Sequence, residues 1–555
     1  MKPPRSNPTP TPIAAKPTAV SGVAPAFHES SLGREFLQFG ALVASLVFRP
    51  YFYLLIYIVV LYIRPQEYVD FLLGKPVVPV SLMTAALLWL VAQKKQFDAP
   101  QHGLMVGLTV CIFISVLLTG WLTGALNALT DFLPTLLLFY IVATSTTTLK
   151  RLQGLSIVMT AVCVVIAWHG MGQVQDEFGV GYTGAEMIDD RITYLGFLND
   201  PNDLSMAFLM VLPLTLYVAQ VGRFWLLRMA AYASMGVILY GVFLCNSRGS
   251  LLGIAAMLFA YAVRRFGLLR SVIVAPLLLV PLLVLAPSRI GEMAADEESA
   301  AGRWDAWFEG FDMLRSRPLF GVGKGLFADH NALTAHNSFV LSFAETGLVG
   351  YFFWFSILVL TAWMLVRLMV PLEPGSLPVG NFDSSGTATS THAHANALPW
   401  KPDAEPGQAN HLDQLDAARS HVAALAPTPA HTPGPTPKPA CTLALPPQPG
   451  ADVDTNVLAV ATEEKISWQD MQIAARMLTY SLIGTMTAAF FLSRSYVVFL
   501  YVLFGVIVGM FQMARVRWPD IAPVRLSDTV GRILLMMVGS IVFIWLLTRL
   551  LLSLS

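Results

Sequence analysis

The chain has 555 residues, of which 55% are hydrophobic and only 13% charged, and its 35 basic side chains balance its 35 acidic ones. Soluble domains carry about 25% charged residues, so the composition excludes an ordinary soluble enzyme, and zero net charge removes the global field that would draw the chain to nucleic acid. Its four cysteines are scattered without CxxC or His/Cys spacing, which argues against a zinc site or a disulfide framework.

Residues 1–34 are rich in Pro, Thr, Ala and Ser and lack the apolar core of a signal peptide, so they read as a disordered tail. A membrane domain over 35–370 follows. Its apolar runs fall at 36–63, 77–92, 104–122, 126–143, 152–171, 203–220, 225–245, 249–263, 270–286 and 339–370. Arg49-Pro50 interrupts the first run, which reads as one crossing plus an interfacial turn. A Pro-rich insert at 371–465, with stretches such as PTPAHTPGPTPKPACTLALPPQPG, reads as a disordered cytoplasmic linker. Residues 466–555 carry three more runs, at 472–492, 495–513 and 530–552. Crossing a bilayer takes about 20 apolar residues. The expected fold class is therefore all-α, a polytopic integral membrane protein with about 12–14 transmembrane helices and one large external loop.

Charge orients the spans. Lys94-Lys95, Lys150-Arg151, Arg223 with Arg228, Arg264-Arg265 with Arg270, and Arg515 with Arg517 and Arg525 fall on alternate connections, which assigns that side to the cytoplasm. Connections 64–76, 172–202, the turn near Ser247, loop 287–338 and the turn near Ser493 then lie outside, in a bacterium the periplasm. Loop 287–338 defies the rule, because it is external yet holds Arg289, Arg303, Arg315, Arg317, Lys324, His330 and His336. Cations beside a membrane mouth are costly unless they bind something, and an anionic, lipid-linked substrate is the natural candidate.

Within that loop, Trp304, Trp307, Phe308, Phe311 and Leu314 recur at helical spacing between Gly302 and Arg317, and Pro318 ends the pattern. Two readings stand. The helix is a simple anchor lying on the membrane surface with its aromatics among the headgroups; or the anchor also holds Arg303 over the membrane mouth, where a guanidinium can grip a diphosphate with two prongs. Gly321 to Gly325, GVGKG, lacks nucleotide-loop spacing and follows no strand, so it reads as a tight turn. Asn337 or Ser338 can cap the next span. His336 beside them either satisfies a helix end or accepts a proton from a sugar hydroxyl.

Other external elements hold similar groups. Asn246-Ser247-Arg248-Gly249 puts an arginine between two apolar spans, costly unless paired. Arg191 either joins a site or pairs with Asp189 or Asp190. Asn199 to Asp203 reads as a turn and helix cap. Glu345 lies at membrane depth, either hydrogen-bonding a neighbouring helix or orienting the site.

The stretches GRWDAWFEGFDMLRSRPLFGVGKGLF, HNSFVLSFAETGLVGYFFWF, NSRGSLLG and GFLNDPNDLSM together resemble the signature regions of the O-antigen ligase and polymerase superfamily, over about 190–360. RPQEY near Arg64 is similar to relatives in exopolysaccharide clusters. The resemblance implies a metal-independent, inverting glycosyltransferase without cofactor, at the periplasmic face of the bacterial inner membrane. It implies an undecaprenyl-diphosphate-linked glycan donor, a glycan or lipid A-core acceptor, and polysaccharide assembly proteins as partners within the lipid bilayer. It assigns catalysis to Arg248, Arg303 and His336 and extends less securely to Arg191. With the loop's cations and aromatics added, the expected substrate-binding set is Arg191, Arg317, Lys324, Asn337, Trp304 and Trp307. The motifs do not separate ligase, polymerase and protein glycosyltransferase. The rival reading is a transporter or flippase of lipid-linked glycans. That would place ionisable groups mid-span between two rocking halves, whereas here the charged groups gather on one face.

Overall fold

The computed structural model describes residues 50–91, 95–284, 297–370 and 467–554. The tail 1–34, the first run up to Arg49, Lys94, Arg289 and the insert 371–465 lie outside the described residues.

The described residues form fifteen helices and no strand, an all-α membrane protein as expected. Thirteen of the helices coincide with the thirteen apolar runs. They are α1 (Pro50–Ile63), α2 (Val77–Val91), α3 (Pro100–Leu117), α4 (Leu122–Ser145), α5 (Leu149–Gln175), α6 (Pro201–Val221), α7 (Trp225–Cys245), α8 (Arg248–Phe266), α9 (Leu268–Val284), α12 (Ser338–Met369), α13 (Trp468–Ala489), α14 (Val498–Arg517) and α15 (Val530–Leu554). Among the described residues nine are long and apolar enough to cross a membrane: α3 to α8, α12, α14 and α15. The other two helices, α10 (Glu297–Ser316) and α11 (Phe327–His330), belong to the loop before α12.

The bundle has a centre and a rim. The apolar windows of α6 and α14 are 83% and 89% buried inside the protein, whereas those of α7 and α15 are 22% and 17% buried. The rim helices therefore turn most of their apolar side chains outward, as spans facing lipid do. Asp200 caps α6, its carboxylate accepting from the backbone N–H groups of Asn202 (2.7 Å) and Asp203 (3.3 Å), with Pro201 in the first helical position.

The connections that charge assigns to one side do meet at one end of the bundle. Tyr194 Oη donates to the Ile63 carbonyl (3.0 Å), Arg191 Nε to the Cys245 carbonyl (2.9 Å), and the His336 backbone N–H to Ser493 Oγ (2.7 Å). At the opposite end Trp468 packs on Trp518 and the Arg532 guanidinium lies 5.6 Å from the Trp363 ring centre.

Helix α10 differs from the surface anchor expected of it. Trp307 is only 1% exposed, edge-on to Trp304 and to Phe490, and Phe311 meets Phe343 of α12. Phe308 lies under the Arg549 guanidinium of α15. The aromatic stripe buries itself against protein rather than headgroups, because α12, α15 and the α13–α14 turn offer a complementary apolar wall.

Helix α12 is broken at Gly347, whose φ of 64° is open to glycine at little cost. The loop backbone fills the break. Val322 and Gly323 donate to the carbonyls of Ala344 and Glu345 (3.0 and 2.9 Å), and Leu348 and Val349 donate to those of Pro318 and Leu319 (2.8 and 3.1 Å). A Cβ on Gly321 or on Gly347 would stand 2.4 Å from the facing backbone. Gly321 and Gly347 thus serve a close backbone approach.

Candidate functional site

Three turns, helix α10 and the starts of α6 and α12 build a cavity of about 350 Å³ at the loop-bearing end. In the first turn, Asp189 and Asp190 adopt left-handed backbone and reverse the chain, so that Arg191 faces back across the bundle. Its guanidinium donates to Asn202 Oδ1 (2.7 Å) as well as to the Cys245 carbonyl. In the second, Asn246 ends α7 in the left-handed conformation and Ser247 opens α8, which puts Arg248 at the first helical position. At Gly249, α8 lies beside the end of α13, near Ala488 and Phe491. Helix α10 contributes Arg303 and the start of α12 contributes His336; Phe491 and Leu492 complete the wall.

His336 is held firmly. Its φ of 46° is uncommon for a residue with a side chain, and it is fixed from both sides. Its backbone N–H donates to Ser493 Oγ, and Asn337 behind it caps α12, accepting from Phe339 N (2.8 Å) and Val340 N (3.1 Å). Ser338 ties the same corner to the α13–α14 turn, donating to the Leu492 carbonyl (2.7 Å) and accepting from Arg494 N (2.9 Å). Burial lowers the His336 pKa below the usual imidazole value, and the positive charges of Arg303 and Arg494 push it the same way against a weaker opposing pull from Asp200. The ring is therefore neutral and able to accept a proton at neutral pH.

Of the sequence-derived site residues, Arg191, Arg248, Arg303 and His336 share this cavity, and the others do not line it. Arg317 is exposed at the end of α10. Lys324 sits across the bundle, with its backbone N–H on Ser115 Oγ (3.2 Å) and its ammonium 3.9 Å from the Asp131 carboxylate. Asn337 is a buried cap, Trp307 is core, and Trp304 packs half-buried against it. His330 is exposed at the end of α11. Glu345 is 3% exposed and faces the backbone N–H groups of Gly325 and Phe327, so it holds the loop rather than a neighbouring helix. Among the described residues no three His, Cys, Asp or Glu side chains are grouped to hold a metal ion.

One element escaped sequence reasoning. The turn between α13 and α14 looked like a plain connection, yet its Arg494 donates to the Asp203 carboxylate, lies 3.9 Å from that of Asp200, and acts on His336. The available signal was an arginine between two apolar runs, the same signal that singled out Arg248.

The sequence model of the family described as O-Antigen ligase matches residues 233–355, and that of a family of unknown function (DUF5935) matches residues 35–223. No curated protein and no solved structure matches.

Proposed function

Because the chain belongs to the O-antigen ligase superfamily, we propose that the cavity is a glycosyl-transfer site facing the periplasm of a bacterial inner membrane, where glycan passes from an undecaprenyl-diphosphate donor to an acceptor hydroxyl in surface polysaccharide assembly. One observation carries this reading: three guanidinium groups and a neutral, rigidly held imidazole, drawn from four separate stretches of the chain, line one cavity at the mouth of the bundle.

The chemistry follows from those groups. The acceptor oxygen attacks the anomeric carbon, and the bond from that carbon to the diphosphate oxygen breaks. The electron pair leaves with the lipid diphosphate, whose negative charge grows as the bond lengthens. Fixed guanidinium groups at Arg191, Arg248 and Arg303 stabilise that developing charge. His336 takes the proton of the attacking hydroxyl, a step worth typically ~10²–10⁴-fold. Attack opposite the leaving group inverts the anomeric centre. The donor is already activated, so the balance is complete without nucleotide or metal.

The rival transport reading separates cleanly in detergent, where no compartments exist. Purified chain incubated with a diphosphate-linked glycan and a hydroxyl-bearing acceptor glycan is expected to form a new glycosidic bond, detected by mass spectrometry. A protein that binds the donor without forming that bond under any acceptor would be a carrier and not a transferase.

A further inference from the structure

The end of the bundle opposite His336 holds a second cavity of about 420 Å³, between the end of α8, the start of α9, the end of α12 and the middle of α13. Its walls are almost wholly apolar, with Val263, Leu268, Met369 and Ile483 among them, yet Arg264 and Arg476 both border it. Arg476 is half-buried in the third turn of α13, its Nε donating to the Gln472 carbonyl (3.2 Å). Tyr480 lines the cavity together with both arginines. Among the described residues no carboxylate pairs with either arginine.

Arg264, in the last turn of α8, is exposed and Arg476 is half-buried, and two like charges bordering one apolar cavity repel, a repulsion that an anion between them relieves. A free anion would neutralise the pair but leave the apolar cavity empty, whereas an anion with a hydrocarbon tail satisfies both. The charge pattern places this end on the cytoplasmic side, where basic pockets between spans hold anionic headgroups. We propose that this cavity binds one anionic phospholipid, its phosphate between Arg264 and Arg476 and an acyl chain along Val263, Met369 and Ile483. An added ammonium on a zwitterionic headgroup would meet the two guanidinium groups and weaken binding.

The test uses the full chain, purified in mild detergent, stripped of lipid and titrated with phosphatidylglycerol, phosphatidylcholine or inorganic phosphate. Bound lipid is counted by native mass spectrometry and thermal stability is followed in parallel. Wild type is expected to hold one phosphatidylglycerol with at least about tenfold preference over phosphatidylcholine, to be stabilised by it, and to be indifferent to inorganic phosphate. Arg264→Gln with Arg476→Gln should reduce phosphatidylglycerol binding to the phosphatidylcholine level. Val263→Trp, which fills the cavity with both arginines intact, should also displace the lipid and guards against a double variant that fails to fold. Equal binding of the two lipids, unchanged binding in Val263→Trp, or full stabilisation by inorganic phosphate alone would each overturn the proposal.

Discussion

Arg303 and Lys324 stand in the same loop, but their surroundings differ. Lys324 meets a ready partner in Asp131, and the backbone around it is consumed by hydrogen bonds to Ser115 and to the broken α12. Arg303 instead borders a cavity on which Arg191, Arg248 and His336 converge. The back half of the loop is a structural plug, satisfied by the protein itself. The front half brings three guanidinium groups and an imidazole to one space, where their positive field favours an anion. Cations of equal prominence in the sequence thus divide into those that hold the loop and those that line the cavity.

The comparison is sharpened by substitutions in the two halves. The largest effects short of losing His336 belong to the cavity arginines. Arg303→Lys and Arg248→Lys keep the charge but lose the planar fork, and each is expected to lower the transfer rate from purified donor by about 10²-fold. Wild-type rates in both lysine variants would remove two-pronged diphosphate contact from the account.

A smaller effect, about tenfold, is expected at the corner that holds His336. Ser493→Ala removes the acceptor of the His336 backbone N–H. Arg494→Gln removes a positive charge that depresses the His336 pKa. The sign is definite: without that charge the imidazole binds its proton more tightly, so the acid limb of the rate profile moves to higher pH, and activity near pH 6 falls more than activity near pH 8. An unmoved acid limb in Arg494→Gln would detach Arg494 from the chemistry.

The plug half should respond in stability. Gly347→Ala forces a side chain into a left-handed position against the Leu319 backbone, and is expected to cost about 2–4 kcal/mol, read as a lowered unfolding temperature in detergent. The smallest effects are expected at Arg317→Ala and Lys324→Ala, whose transfer rates should stay within about twofold of wild type, because exposed or weakly paired surface charges contribute little. A large loss in either would return the back of the loop to the site.

Much of this division was legible in the residues. Long apolar runs specify their own helices, since every backbone group must be satisfied within the span, and the alternation of Lys and Arg between connections collected the right turns at one end. Arg191, Arg248, Arg303 and His336 stood out because polar groups at span ends are conspicuous against hydrocarbon. What hydropathy could not show was the partner of each face. The stripe from Trp304 to Leu314 has the period of a headgroup-zone helix and of a packed one alike, and only the presence of Phe343, Phe490 and Arg549 decides between them. The break at Gly347 lies inside an unbroken apolar run, so average hydropathy passes over it. Arg494 reaches His336 from across the long insert, a proximity set by helix packing and invisible to spacing.

The two histidines of the loop give the most direct measurement. His336 lines the cavity and His330 is exposed at the end of α11, so each single alanine variant is purified and assayed for transfer from a diphosphate-linked glycan at pH 7, with thermal unfolding confirming the fold. The account predicts that His336→Ala loses roughly 10²–10⁴-fold of the rate while His330→Ala retains it; a folded His336→Ala that transfers glycan as fast as wild type would contradict it.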